Sequence, residues 1–334
     1  MARHTVESYD PRTAGREGWR EAGRSLMLGA VEDAVLLTDS GIETDIIFGE
    51  GRDLPAFALY PLLDEPGGRD ILSAYYLRHL AVAAEHGLGY VLETPTWRSN
   101  PDWGRSLGYS QDQLDHFDRE AVAFMGTVRQ MAPPGLGPTP ISGLIGPRGD
   151  GYVVGEVMTP EEAQRYHEHQ VAVFAAAGCD LVSGCTFTYA AEAIGLIRAA
   201  QQLGVPCVVY FTVETDGRLP DGSSLGTTIE AVDKATGAFA AHYGINCAHP
   251  DHIEPAVAAG GPWIARVGAL RVNASRMSHA ELDEAAELDA GDPVELAADV
   301  VRLWGLLPGV RVLGGCCGTD VRHVREIAGV VAAS

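Results

Sequence analysis

From residue 35 onward, short and almost uninterrupted apolar runs alternate with longer stretches whose apolar residues recur every three or four positions. Continuous apolar runs suit parallel strands buried on both faces, and the longer spacing suits helices packed over them. The strand-like runs fall at 35–39, 90–94, 140–144, 180–184, 207–213, 240–246, 264–272 and 310–314. Helical stretches follow at 71–86, 111–131, 161–177, 190–203, 227–238, 252–258, 294–306 and 320–332. Two helix starts are strongly marked. Thr159-Pro160-Glu161-Glu162 offers a cap, a proline at the first helical position and a reciprocal glutamate, and Asp292-Pro293-Val294-Glu295 broadly repeats it. Eight strand–helix alternations without a break in composition predict an α/β fold. The expected architecture is a single (β/α)8 TIM barrel over 35–334, behind a short N-terminal extension (1–34) with a helical pattern at 16–28. An open doubly wound sheet is the alternative, and the lack of Gly-x-Gly-x-x-Gly after the first strand counts against it. In a barrel, reactive residues belong at the carboxyl ends of the strands.

Composition narrows the partners. An apolar share of 46% in 334 residues supports a sizeable core. With 45 acidic against 24 basic residues the formal charge is −21, which argues against nucleic acid and anionic membranes. No apolar run approaches the roughly 18 residues of a membrane span. Residues 1–20 are polar and mixed in charge, without a signal-peptide pattern, so a cytoplasmic protein is expected. Small molecules are the expected partners, and a homo-oligomer is left open.

The six cysteines are Cys179, Cys185, Cys207, Cys247, Cys316 and Cys317, three of them inside apolar runs. That is no secreted disulfide framework, and neighbouring Cys316 and Cys317 have the wrong geometry for an ordinary disulfide with each other. Reduced thiols are expected. Cys179 and Cys207 read as small buried hydrophobes. Cys247 ends the sixth strand and Cys316–Cys317 end the eighth, close enough around a barrel mouth for their loops to converge. Three thiolates there suit a tetrahedral Zn2+ with its fourth position open, the arrangement of a catalytic site. Flanking glycines let the backbone present both sulfurs of the pair. Catalytic thiol–disulfide exchange is the rival, but its Cys-x-x-Cys pattern is missing. Three thiolates and Zn2+ sum to about −1, a poor Lewis acid for hydrolysis but a good holder of a substrate thiol. Coordination deprotonates that thiol, giving a nucleophile aimed at an electrophilic carbon. Alkyl transfer to sulfur follows.

The segments Gly314-Gly315-Cys316-Cys317-Gly318-Thr319, Gly244-Ile245-Asn246-Cys247 and Leu37-Thr38-Asp39-Ser40-Gly41 together resemble the homocysteine S-methyltransferase family. Glu93-Thr94-Pro95-Thr96-Trp97, Ile145-Gly146-Pro147 and the stretch from Phe211 to Gly222 add to the likeness, which runs in order from about Val35 to Ala332. The resemblance implies a zinc-dependent barrel with Cys247, Cys316 and Cys317 as ligands. It further implies that Asp39, the backbone at Ser40–Gly41 and Thr94 hold the amino-acid end of the thiol, with Asn246 supporting the site. Two departures stand out. Ser40 replaces the middle glycine of the family's Asp-Gly-Gly, and Cys185 stands where the family carries a glutamate for the substrate ammonium. Arg271-Val272-Asn273-Ala274-Ser275 keeps only the asparagine and alanine of Pro-Asn-Ala-Gly.

The expected reaction moves a methyl group from a small onium donor (S-methylmethionine, S-adenosylmethionine or a betaine) to a zinc-bound thiolate, with L-homocysteine giving L-methionine. Because a neutral thiol cannot replace a carboxylate facing an ammonium, either another acid such as Glu93 or Glu214 takes over or the acceptor differs. The alternatives are a different thiol acceptor, demethylation of another onium compound, or a non-catalytic zinc-binding, thiol-sensing barrel. Trp97 and Trp103 offer ring faces to an onium cation, with simple packing as the competing reading. The acidic stretch 281–292 reads as a solvated loop.

Overall fold

The computed structural model describes residues 34–285 and 287–333. The extension and the helical pattern at 16–28 lie outside that range, apart from Ala34. Nine parallel strand segments form one sheet: β1 Leu36–Leu37, β2 Gly89–Tyr90, β3 Leu92–Glu93, β4 Ile141–Ile145, β5 Leu181–Phe187, β6 Cys207–Phe211, β7 Tyr243–Asn246, β8 Val267–Val272 and β9 Val312–Gly315. Their order is β2-β1-β9-β8-β7-β6-β5-β4-β3. Because β2 and β3 are separated only by Val91, the two ends of that order are one stretch of chain and the sheet closes on itself. Val91 donates to Leu37 O on one side and Leu92 to Pro140 O on the other. Nine segments therefore fill the eight positions of a (β/α)8 barrel.

Helices cover the outside. Both marked starts hold: Thr159 and Glu162 form a reciprocal capping box, and the Asp292 carboxylate accepts from Val294 and Glu295. The expected run 264–272 is shorter, because Pro262 opens a 3-10 turn over Pro262–Arg266 before the strand begins. Shorter elements absent from the expectation also occur. Pro101–Ser106 is capped by Asn100, a helix at Ile42–Thr44 runs into a π turn, and His279–Asp283 makes part of the acidic stretch helical.

Inside the barrel the alternation of side chains decides where the chemistry can sit. The lower layer is apolar, with Leu36, Val91, Leu181, Val208, Ala269 and Val312 packed together. Two residues further along three of those strands the inward positions become Glu93, Ser183 and Arg271, and Cys185 follows Ser183. The barrel is thus plugged at one end and chemically armed at the carboxyl end.

Candidate active site

A cavity of about 530 Å3, counting its open mouth, lies at that end. Asp39, Glu43, Glu93, Thr94, Trp97, Tyr152, Cys185, Thr186, Asn246, Arg271 and all three of Cys247, Cys316 and Cys317 line it. The three cysteine sulfurs lie within 4.8 Å of one another. In barrel order β8 separates β7 from β9, and its end pins all three cysteines. Cys247 N donates to Arg271 O, Cys316 N to Val272 O, and Ala274 N to Cys317 O. Cys247 adopts φ 53°, a sparsely populated conformation for a residue with a side chain. Its carbonyl is gripped by Asn273 Nδ2 at 3.1 Å and His279 Nε2 at 2.6 Å, and Glu214 orients His279 through Nδ1 at 3.1 Å.

Glycine serves this corner in two ways. A Cβ on Gly41 would run into the Cys316 carbonyl, so the loop after β1 packs directly on the cysteine backbone. Gly318, just past the pair, takes φ 79°.

The structure joins Cys247 and Cys316 in a disulfide and leaves Cys317 free, a correction to the expectation that all six cysteines are thiols. The physical reason is convergence: the two sulfurs are delivered to one point from the ends of β7 and β9, on either side of β8. Reduction of that pair is required before the trio can ligate a metal. With the pair reduced, three soft sulfur donors sit together in one cavity, a donor set that fits Zn2+ and leaves room for a substrate sulfur. Burial first, then Glu43, pushes the Cys317 thiol up to about 11. Such a thiol ionises near neutral pH only beside a cation. The Tyr152 hydroxyl lies 3.8 Å from Cys317 Sγ and is held protonated chiefly by burial.

The opposite wall differs from expectation. Arg271, only 6% exposed, projects into the cavity. Its Nη1 donates to Glu93 Oε2 and its Nη2 to Asp39 Oδ1, while Nε faces Gly315 O at 3.4 Å. Cys185 Sγ lies 3.9 Å from Nη1, and burial holds this thiol neutral, well above its usual range. Burial, opposed by Arg271, raises Asp39 to about 7 and raises Glu93 as well. Sequence reasoning passed over Arg271 as a site residue. The signal was available: a charged residue in a run otherwise suited to a fully buried strand needs a partner.

The remaining expected residues divide. Thr94 lines the cavity, with its hydroxyl shared between Thr96 and Leu144 N. Asn246 also lines it and bridges to Thr186, accepting from the backbone and donating to the hydroxyl. Ser40 and Gly41 are not among the lining residues. Ser40 N donates to Tyr75 Oη, and Ser40 Oγ lies 2.8 Å from His79 Nε2 behind the barrel wall. Gly41 N is directed at Thr319. Glu214 serves His279 rather than the cavity. Trp97 and Trp103 hold no open cation box between them, because the Arg98 guanidinium lies 3.8 Å and 4.1 Å from their ring centres. Packing is the reading the structure favours, and Trp97 also donates to Cys185 O. A second cluster, His249, Asp251 and Asp299, is laced by Arg276 and Arg302, whose charges take the place of a metal. No helix among the described residues is long and apolar enough to cross a membrane.

Comparison with known proteins agrees with this arrangement. Rat betaine–homocysteine S-methyltransferase 1 is 27% identical over 214 residues, 56% of this chain and 51% of the relative, so the chain matches about half that protein's length. Homocysteine S-methyltransferase 4 of maize is 22% identical over 88% of this chain and 89% of its own. Crystal structures of the homocysteine methyltransferase MmuM from Escherichia coli share the fold. The metallated form superposes with a TM-score of 0.71 and the oxidised form with 0.72, each at 18% identity over 91% of this chain and 99% of MmuM. A sequence model described as Homocysteine S-methyltransferase matches residues 37–331, nearly the whole described chain, and the protein belongs to that family of methyltransferases.

Proposed function

We propose that this protein transfers a methyl group from a small onium donor to the sulfur of L-homocysteine, using Zn2+ held by Cys247, Cys316 and Cys317. The observation that carries the reading is the meeting of these three sulfurs in one cavity at the carboxyl ends of the strands, within a chain of this family. Bound there, zinc would lower the pKa of the acceptor thiol and keep it nucleophilic at neutral pH.

The chain's own groups do the rest. Asn273 and His279 fix the Cys247 carbonyl, and β8 fixes the backbones of the cysteine pair, so the ligands are set before substrate arrives. Tyr152 sets its hydroxyl beside Cys317, and its ring packs at a tilt on His279 with the centres 4.3 Å apart. In the transfer a sulfur–carbon bond forms as the donor's onium–carbon bond breaks, the bond pair stays on the onium atom and leaves it uncharged, and the thiol proton has already gone to solvent. No general base is needed at that step. The excess of acidic groups lining the cavity suits a cationic donor.

The test is calorimetric titration of the reduced, zinc-loaded protein with L-homocysteine, followed by a methyl-transfer assay with S-methylmethionine, S-adenosylmethionine and glycine betaine. Binding that vanishes when zinc is removed, and methionine formed from one of the donors, is expected. Retained zinc with no thiol binding would overturn the reading.

A further inference from the structure

Resting on that proposed function, we infer that Glu93, positioned by Arg271, receives the cationic amine of the thiol substrate and so selects an amino thiol.

The charged groups lining the cavity are Asp39, Glu43, Glu93 and Arg271, three acids against one base. Arg271 already faces fixed partners on three sides: Glu93, Asp39 and the Gly315 carbonyl. An arginine so committed acts as a clamp on the two carboxylates and is not free to grip an anionic ligand bidentately. Glu93 is 2% exposed, and while Oε2 is held by Arg271, Oε1 is buried without a well-formed hydrogen bond, the Ser183 hydroxyl being the only neutral side-chain donor beside the carboxylate among the described residues. Buried carboxylate oxygens are normally satisfied, so an orphan one on a cavity wall marks the place of a donor from a ligand. A protonated amine supplies both the donor and the compensating charge. It also accounts for Cys185: a neutral thiol is tolerated beside Arg271 because the carboxylate for the amine is provided by β3 across the barrel.

The test uses the reduced, zinc-loaded full chain and two thiols, L-homocysteine and 4-mercaptobutanoate, which lacks only the amine. Calorimetry on the unaltered protein is expected to show homocysteine binding at least tenfold tighter. In Glu93→Gln that preference should shrink to about twofold, with zinc content unchanged and 4-mercaptobutanoate binding little altered. The double change Glu93→Gln/Cys185→Glu keeps a carboxylate near Arg271 and should restore part of the preference, which guards against a mere folding defect. Equal losses for both thiols in Glu93→Gln, or an undiminished preference, would overturn the inference while leaving the proposed function standing. Tighter binding of 4-mercaptobutanoate than of homocysteine would overturn it too and make Arg271 a reader of carboxylates. Failure of both thiols to bind the unaltered protein would instead bring down the function, and this inference with it.

Discussion

The two walls of the cavity are built on different principles. The cysteine wall is held by backbone: main-chain hydrogen bonds from β8, two donors on one carbonyl, and glycines that let the loops close. The acid wall is held by side-chain charge, with one arginine between carboxylates from β3 and from the loop after β1. The first arrangement presents its sulfurs whatever occupies the cavity. The second depends on mutual neutralisation in a buried place, where removing one member strands the others. Arg271 belongs to both, since its carbonyl accepts from Cys247 while its guanidinium clamps Asp39 and Glu93.

Removing a ligand should produce the largest effect. In Cys317→Ala, the cysteine outside the disulfide, zinc content by metal analysis is expected to fall to background and methyl transfer with it. Compared metal-free, the thermal transition should move little, because the backbone bonds of that wall remain. Full activity in this variant would remove the metal from the reaction.

Arg271→Met tests the other wall. It leaves Asp39 and Glu93 buried without their partner, and breaking a buried ion pair this way typically costs about 3–5 kcal/mol. Denaturant unfolding should show such a loss, and adding Asp39→Asn and Glu93→Gln to the same protein should recover most of it. A loss that the triple variant does not recover would mean that Arg271 matters through packing.

Loosening the cysteine wall indirectly should cost less. His279→Ala removes one of two donors to the Cys247 carbonyl, an outer contact of the kind worth roughly 10–100-fold in metal affinity. Competition with a zinc chelator should reveal it, with the homocysteine preference over 4-mercaptobutanoate unchanged. A changed preference would show that the two walls are not separable.

The same contrast explains what the sequence revealed. The cysteine wall is local: Cys247 directly follows one strand-like run and the Cys316–Cys317 pair, set between glycines, follows another, so position along the chain already implied position at the barrel mouth. The acid wall joins Asp39 from the loop after β1 with Glu93, Cys185 and Arg271 from three strands far apart in the chain, and pairing at such range leaves no spacing to read. The family resemblance pointed to Asp39, Cys185 and Glu93 one by one, but the only sign that they are held together was Arg271 inside an apolar run. The barrel was legible because eight buried parallel strands write an unusually plain pattern. The closure of β2 and β3 on β1 and β4 depended on hydrogen bonds alone and was not.

Ser40 offers the finest division between wall and packing. Its surroundings fix every proton. His79 Nδ1–H must donate to the Tyr75 carbonyl, so Nε2 accepts from the Ser40 hydroxyl; Tyr75 Oη accepts from Ser40 N and therefore donates to Ser40 Oγ. This circuit suits a neutral imidazole, and burial lowers the His79 pKa to about 4. A histidine depressed from about 6.5 contributes stability that is complete above that pH and is lost as pH falls towards 4. Ser40→Gly leaves Nε2 without a partner and should cost about 1–2 kcal/mol at pH 7. The difference from the unaltered protein should narrow as pH approaches 4, because the freed nitrogen can then take a proton. Homocysteine binding should be unchanged throughout. Weaker binding in Ser40→Gly, without that pH-dependent loss of stability, would return Ser40 to the substrate's side of the wall.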